Sequence, residues 1–496
     1  MLSGSDVAAH SSRESLWMII HGKVYDLTEF APSHPGGERI LLKYAGKDAT
    51  EEYDPIHPPG TIEGALSPDK HLGPVDLATL SDEQKPVEQP VVKAPSGEAP
   101  VTLGACLNLD DIERAAEQLL KPKAWAYYRS AADDEKTYDW NREAFYSVRF
   151  RPRVMRDVTQ VDLTTSLLGF KSSLPIYISP AAMGRLAHPD GEKCLARVAG
   201  THGIPYIVSA NASVGYEELA SMAAQSGQTL FYQLYVNRDR RKSEEIMRNV
   251  AKAGYKAICV TVDAPVAGKR ERDERAKLDE EAASDPNLRK AVASTGPDAP
   301  DAPQDESSQG IAQALGGYVD ATLSWTDIPW IRQASGGLPV ILKGISTAED
   351  AALAAHHGAS AIILSNHGGR QCEGAPSSLE TLLEIRKYEP QVFDKLEVWA
   401  DGGYRRGTDV LKALALGARA VGIGRPFMYS LAFGDAGVNK VATILRDELA
   451  QNTRLLGATK LSELVPSMLN TRELEANLWD GPYESPVGAR SILAKL

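Results

Sequence analysis

The chain has 496 residues and a mass of 53.5 kDa, 43% of the residues being hydrophobic, enough for a large core and more than one folded unit. Its formal charge of −12 and pI of about 5.5 exclude the broad basic surface that nucleic acid or anionic lipid demands, so neither is an expected partner. No apolar run approaches the roughly 18 residues of a membrane span, and Cys106, Cys194, Cys259 and Cys372 follow neither metal-ligand nor disulfide-framework spacing, as expected of a reducing compartment.

Residues 1–6 carry neither a signal-peptide nor a transit-peptide pattern, so the chain as written reads as cytoplasmic. Residues 1–76 form a compact mixed segment rich in His, Gly and Pro, and residues 77–104 are Pro- and Glu-rich without periodicity, which predicts a linker. From Leu109 the pattern becomes helical, with Ile112, Ala115, Ala116, Leu119 and Leu120 on one face and acidic residues at the start. Beyond residue 174, short apolar runs at 175–179, 204–210, 230–235, 257–263, 339–344, 361–367, 396–402 and 420–424 alternate with helix-length segments. Eight such units predict an α/β fold, a closed (β/α)8 TIM barrel occupying the large domain, residues 105–496. An open doubly wound sheet would carry a Gly-rich fingerprint after its first strand, and Pro180-Ala181-Ala182-Met183-Gly184 does not fit one. The connection from Asp263 to Pro339 is oversized. A charged helix-like run at 269–277 and a Pro/Asp/Ser-rich stretch at 294–309 read as a surface excursion or lid.

Active sites of such barrels lie at the C-terminal ends of the strands, and reactive residues recur there. Ser365-Asn366-His367-Gly368-Gly369-Arg370-Gln371 places an imidazole and a guanidinium three residues apart after the run Ala361-Ile362-Ile363-Leu364, as a base beside a clamp for a small acid. Taken alone, the loop is equally consistent with a structural histidine. The joint placement of Tyr235, Asp263, Lys343, Asp401 and two Gly/Arg-bearing ends favours a site. Asp263 would orient His367 and raise its basicity, and Tyr235 would supply a hydroxyl. Gly402, Gly403 and Arg405, with Gly424 and Arg425, fall after strands seven and eight, where barrels build phosphate sites. Lys343 would stabilise negative charge developing on a phosphorylated redox cofactor.

This constellation resembles the FMN-dependent L-2-hydroxy-acid oxidase and dehydrogenase family over about residues 105–465. The motifs that carry the likeness are Ala126-Tyr127-Tyr128-Arg129-Ser130, Gln233-Leu234-Tyr235-Val236, Val260-Thr261-Val262-Asp263-Ala264-Pro265, the 365–371 loop, and Asp401-Gly402-Gly403 with Arg405-Arg406-Gly407. The resemblance implies that His367 removes the Cα proton, or the hydroxyl proton if hydride transfer is the path, with Asp263 orienting it. It implies that Arg370 and Tyr127 bind the substrate carboxylate, that Tyr235 contacts the hydroxyl and that Arg270 swings in as a second guanidinium. For FMN it implies Ala182, Ser209, Gln233 and Thr261 at the ring and ribityl chain, Lys343 at the ring's N1 side, and Asp401, Gly402, Gly403, Arg405, Gly424 and Arg425 toward the phosphate. Asn211 departs from the resemblance by putting an amide at a pocket position that is apolar in the lactate enzymes, and would favour a polar or larger acid.

The first segment resembles a cytochrome b5-like domain through Phe30-Ala31-Pro32-Ser33-His34-Pro35-Gly36-Gly37-Glu38, Ile56-His57-Pro58 and the upstream 17–27 stretch. That likeness implies haem b held by His34 and His57, suited to electron transfer because no coordination site stays open. The order haem domain, linker, flavin barrel is that of the family's flavocytochrome members. It implies oxidation of an L-2-hydroxy acid, L-lactate first among them, with electrons passing through FMN and haem to cytochrome c or another one-electron acceptor. An oxidase passing electrons to O₂, or a dehydrogenase with another 2-hydroxy acid, is the alternative. A homotetramer, and the mitochondrial intermembrane space in place of the cytoplasm, follow from the same resemblance.

Overall fold

The computed structural model describes residues 1–34, 37–57, 59–85, 101–284, 317–481 and 483–487, with the side chains of 280–284 excepted. Pro35, Gly36 and Pro58 of the histidine motifs, residues 86–100 of the connection and the 294–309 stretch lie outside the described residues.

The large domain is the closed eight-stranded barrel that the alternation predicts. Its parallel strands are β1 (Ile176–Ile178), β2 (Tyr206–Val208), β3 (Leu230–Leu234), β4 (Ile258–Thr261), β5 (Val340–Ile345), β6 (Ala361–Leu364), β7 (Glu397–Ala400) and β8 (Ala420–Ile423). Both faces of each strand are apolar because both are buried, one inside the barrel and one under the helices. Alternation sorts them. Tyr177, Ile207, Phe231, Cys259, Ile341, Ile363 and Trp399 form the barrel's interior cluster, while their neighbours, such as Ile176, Val208, Tyr232, Val260 and Ile362, join the core beneath the helices. The hairpin of Thr165–Leu167 and Phe170–Ser172 brings Leu167, Leu168 and Phe170 to the interior cluster and caps it.

The interior parity also fixes what stands above that layer. Two residues further along each strand lie Ser179, Ser209, Gln233, Thr261, Lys343, Ser365 and Asp401, so the apolar plug gives way to a polar ring at the C-terminal mouth. On the seam between β5 and β6 the pairing register shifts between Lys343 and Ile345. Gly344 sits at the shift with φ +115°, where a Cβ would come within 2.6 Å of the Asp263 Cβ; only glycine allows that close approach.

The N-terminal module is a four-stranded antiparallel sheet of Ser11–Ser12, Ser15–Ile20, Lys23–Asp26 and His71–Pro74. Leu16, Met18 and Ile20 face a cluster with Tyr25, Leu27, Leu41 and Ile62, and Ile19 and Val24 face a second with Val7, Val75 and Leu80.

Two expectations change. The connection assigned to 77–104 is ordered at both ends. Leu80 is buried in the second module cluster, and Gln84 donates through Nε2 to the carbonyls of Gly4 (2.8 Å) and Gly46 (2.9 Å); at the other end the Val101 amide donates to Gln118 and Leu103 packs on the barrel core. A Pro/Glu-rich composition concealed these contacts because each involves only one or two side chains. The helix Leu109–Leu119 forms as expected with Ile112, Ala115 and Ala116 fully buried, but Leu119 is 39% exposed, since the packed stripe is too narrow to include it. Among the described residues no helix is long and apolar enough to cross a membrane, and all four cysteines are free.

Gln84 lies inside the module's hydrogen-bonding scheme, so Gln84→Ala is expected to destabilise the module by about 1–3 kcal/mol. Hydrogen exchange should quicken in Ser15–Ile20 and Lys23–Asp26 and stay unchanged in the barrel strands; equal protection in the variant would show that residues 77–85 do not belong to the module.

Candidate active site

Two sets of hydrogen bonds hold the polar ring. Ser209 Oγ donates to Gln233 Oε1 (3.3 Å) and Gln233 Nε2 donates to Thr261 Oγ1 (3.0 Å). Across the ring the Lys343 ammonium donates to Ser365 Oγ (3.0 Å) and lies 3.6 Å from Asp401, whose carboxylate accepts from Ser179 Oγ (3.4 Å). Burial acts most strongly on Lys343 and would lower its pKa, but Asp401 and Asp263 outweigh it and hold the ammonium charged.

One more step along the strands comes the reactive layer. His367 Nδ1 donates to Asp263 Oδ1 at 2.9 Å, which leaves Nε2 as the basic nitrogen, 3.5 Å from the Tyr235 hydroxyl. Burial is the largest influence on His367 and lowers its pKa against the opposing pull of Asp263, so the imidazole is neutral near pH 7 and able to accept a proton. Burial would raise Asp263, yet His367 and Lys343 together hold it below the usual carboxylate range. Burial, followed by Asp263, also keeps the Tyr235 phenol protonated.

His367 itself has φ +59°, a left-handed conformation uncommon for a residue with a Cβ, and Gly368 and Gly369 continue it. The turn is held from outside. Asn366 and Asn141 exchange amide hydrogen bonds, each 2.8 Å, and Asn366 Oδ1 also accepts from the Gly369 amide while its Nδ2 donates to the Pro376 carbonyl. The Ser365 hydroxyl accepts from the His367 amide at 3.1 Å.

Three guanidiniums crowd the mouth. Arg370 donates to the carbonyls of Tyr127, Tyr128 and Ser130, and Arg425 to those of Tyr128, Ser130 and Gly368. Arg270 is 8% exposed, with Nε lacking a partner among the described residues. Burial first, then the neighbouring Arg270, brings Arg370 down to about 10; burial and Arg370 do the same to Arg425. Like charges this deep repel one another, and an anion seated among them relieves that cost.

Of the residues the sequence singles out in the barrel, all line one cavity of about 1410 Å³ counting its open mouth, except Asp263, which acts on it through His367. Tyr127, Ala182, Ser209, Gly402, Gly403 and Gly424 are all among its lining. The expected pair of phosphate arginines is unequal. Arg425 is engaged by three carbonyls, whereas Arg405 pairs with Glu113 (2.8 Å) and Tyr138 (3.2 Å) and keeps a buried Nη1 with no partner among the described residues. Asn141, Asn366, Ser179, Ser365 and Glu113 were not singled out. Strand parity could have found the two serines; nothing local marks Asn141, 225 positions from its partner.

FMN fits this cavity by the chemistry of its donors. A flat ring of alternating donors and acceptors would meet the Gln233 amide and the Thr261 hydroxyl, Lys343 would supply a buried cation, and the orphaned Arg405 Nη1 a donor for an anionic end. At Gly422 a Cβ would strike the Ser179 Oγ at 2.2 Å, so one wall stays bare backbone.

In the module the His34 and His57 rings lie 6.1 Å apart, centre to centre, which suits two imidazoles on opposite faces of one metal ion with bonds of about 2 Å each. Each Nδ1–H donates to a backbone carbonyl, His34 to Gly37 (3.0 Å) and His57 to Tyr53 (3.1 Å), leaving both Nε2 atoms as ligands. Burial lowers His34 and brings His57 down to about 4, so both are neutral. The donor set fits haem. The edge carrying His57 meets the barrel: Ile56 packs on its core and Asp54 lies 3.8 Å from Arg185.

Comparison with known proteins agrees with both halves. Residues 116–471 match the model of the FMN-dependent dehydrogenases, and residues 3–76 that of the cytochrome b5-like haem/steroid-binding domain. The chain is 42% identical over 471 residues to an L-lactate dehydrogenase (cytochrome) of Wickerhamomyces anomalus, covering 94% of this chain and 79% of that one. It is 41% identical over 381 residues to glycolate oxidase of Spinacia oleracea, covering 77% and 98%. Among solved structures, a doubly substituted flavocytochrome b2 with pyruvate bound superposes with a TM-score of 0.67 at 39% identity, covering 77% of this chain and 91% of that one.

Asn141→Ala would leave the buried Asn366 amide half-satisfied. It is expected to lower stability by about 1–3 kcal/mol, read from the urea midpoint, and an unchanged midpoint would show that the left-handed turn at His367 does not depend on the amide pair.

Proposed function

The chain belongs to the FMN-dependent dehydrogenase family, fused to a cytochrome b5-like haem domain, and from that premise we propose that it oxidises an L-2-hydroxy acid to the 2-keto acid and passes the electrons to an external cytochrome. The observation that carries the reading is the layer in which a neutral His367, backed by Asp263, stands beside the mutually repelling Arg270 and Arg370. A base next to unbalanced positive charge selects a small carboxylate with an ionisable C–H or O–H.

Arg370 and Arg270, with Tyr127 in the same lining, bind the carboxylate and offset their own repulsion in doing so. Tyr235 donates to the substrate hydroxyl, and His367 Nε2 takes the proton that leaves. The Asp263 carboxylate keeps Nδ1 protonated and stabilises the imidazolium that forms. When bound, FMN takes up the two electrons of the oxidation and haem b carries them onward singly. Ala182, Ser209, Gln233, Thr261 and Lys343 would hold the flavin ring and ribityl chain, with Asp401, Gly402, Gly403, Arg405, Gly424 and Arg425 toward the phosphate. His34 and His57 would hold the haem. The contact of Ile56 and Asp54 with the barrel supports direct transfer between the halves. L-Lactate is the first substrate to test, since it names relatives that match 94% and 98% of this chain, and the word cytochrome in those names supports cytochrome c as acceptor. The homotetramer and the intermembrane-space location implied by the resemblance belong to the same proposal.

Mixed anaerobically with a panel of L-2-hydroxy acids, the purified protein is expected to show flavin bleaching followed by haem reduction; a silent haem across the panel would sink the dehydrogenase reading, and peroxide formed in air with the haem still oxidised would favour an oxidase. His367→Gln should abolish flavin reduction with both cofactors retained, whereas His57→Ala should lose the haem Soret band and keep substrate-to-flavin transfer.

The pH dependence tests Asp263. Its charge raises the His367 pKa, so Asp263→Asn lowers it further; since the neutral imidazole is the active form, the acid limb of kcat/KM should move to lower pH as the plateau falls by roughly 10²- to 10⁴-fold. An acid limb at the wild-type pH would show that His367 is not the group titrating.

A further inference from the structure

The parity that stacks the barrel mouth places one more side chain in the reactive layer. Tyr235 follows Gln233 by two residues, Asp263 follows Thr261, His367 follows Ser365, and in the same way Asn211 follows Ser209. Asn211 lines the cavity. Its backbone amide donates to Ser209 Oγ at 3.2 Å, and its side-chain Oδ1 accepts from the Tyr318 hydroxyl at 3.1 Å. With Oδ1 taken, the amide cannot rotate freely. The end left over is Nδ2, two N–H donors that reach no acceptor among the described residues.

Tyr318 is itself held in place. It lies where the long connection after Asp263 returns to the barrel. The Arg238 amide donates to its carbonyl at 3.0 Å, the Asp320 amide donates to the Val236 carbonyl at 2.8 Å, and Val319 bridges Asn237. Burial pushes the phenol up to about 12, so it remains a donor over the working range. Ala264, Val266, Ala267 and Val319, the residue after Tyr318, make part of the cavity wall apolar. An oriented amide donor in such a wall discriminates by chemistry more than by size, because an alkyl group placed against it strips the N–H of water and returns no bond.

We propose that Asn211, oriented by Tyr318, reads the side chain of the substrate, and that the preferred substrates are L-2-hydroxy acids whose side chain carries an oxygen acceptor, such as a β-hydroxyl. The inference rests on the L-2-hydroxy-acid reading above and narrows it. Lactate, with a bare methyl group, would be turned over with this contact unmade.

The test uses the full-length protein with both cofactors and two substrates of nearly equal size, L-glycerate with a terminal hydroxyl and L-2-hydroxybutyrate with a methyl in its place, and L-lactate as reference. The ratio of kcat/KM for glycerate over hydroxybutyrate is expected to exceed about tenfold in the wild type, on the order of one unmade buried hydrogen bond. Asn211→Leu should lower that ratio by at least tenfold. Tyr318→Phe, which frees the amide to turn, should lower it by a smaller factor. A wild-type ratio near one, or a ratio unmoved by Asn211→Leu, would overturn the assignment and leave the oxidation of L-2-hydroxy acids standing. Failure of all three acids to reduce the flavin would overturn both. Should Asn211→Leu not fold, the wild-type ratio and Tyr318→Phe decide the question alone.

Discussion

The ionised Asp263 carboxylate is the group around which the mouth of this barrel is arranged. It is largely buried, and burial alone would protonate it; the His367 imidazole at 2.9 Å and the nearby Lys343 ammonium keep it charged. That single charge then does three things. It fixes the tautomer of His367, it helps hold Lys343 protonated against desolvation, and it requires β5 to yield at Gly344, where any side chain would collide with it. Remove the carboxylate and the base loses its orientation, while Lys343 keeps only Asp401 as a nearby counter-charge. In a medium of low dielectric each of those losses is far larger than it would be at the surface.

The arginines obey the opposite logic. Arg270, Arg370 and Arg425 are buried within reach of one another and depress one another's pKa, and the buried Asp273 carboxylate with the backbone carbonyls of Tyr127, Tyr128, Ser130 and Gly368 offsets only part of the cost. The site thus carries excess positive charge beside His367 and an orphaned donor on Arg405. Under the proposed function, the substrate carboxylate and the cofactor phosphate would answer those two features separately.

The haem module repeats the theme of preset ligands. The carbonyls of Gly37 and Tyr53 select the tautomers of His34 and His57, and burial keeps both rings neutral. Its stability depends on more chain than its composition announces, because Gln84 and Leu80 complete it from a stretch that reads as linker. The same lesson holds at Leu119, whose helical register is right but whose place in the stripe leaves it 39% exposed.

Much of the molecule was legible before any coordinates, and the reason is periodicity. Eight apolar runs spaced by helical segments specify a barrel, a period of two carries each run from an apolar interior to a polar ring and then to Tyr235, Asp263 and His367, and barrels place their chemistry at that end. Resemblance of the motifs added the cofactors and the two haem histidines. Tertiary structure alone decided what depends on residues far apart in the chain: the Asn141–Asn366 pair that pins the left-handed turn, the unequal duties of Arg405 and Arg425, the packing of residues 77–85, and the hydroxyl of Tyr318 that orients Asn211. These are individual side-chain contacts across 38 to 297 positions. A repeating pattern can be read along a sequence, whereas one donor meeting one acceptor leaves no period behind and exists only once the chain has closed on itself.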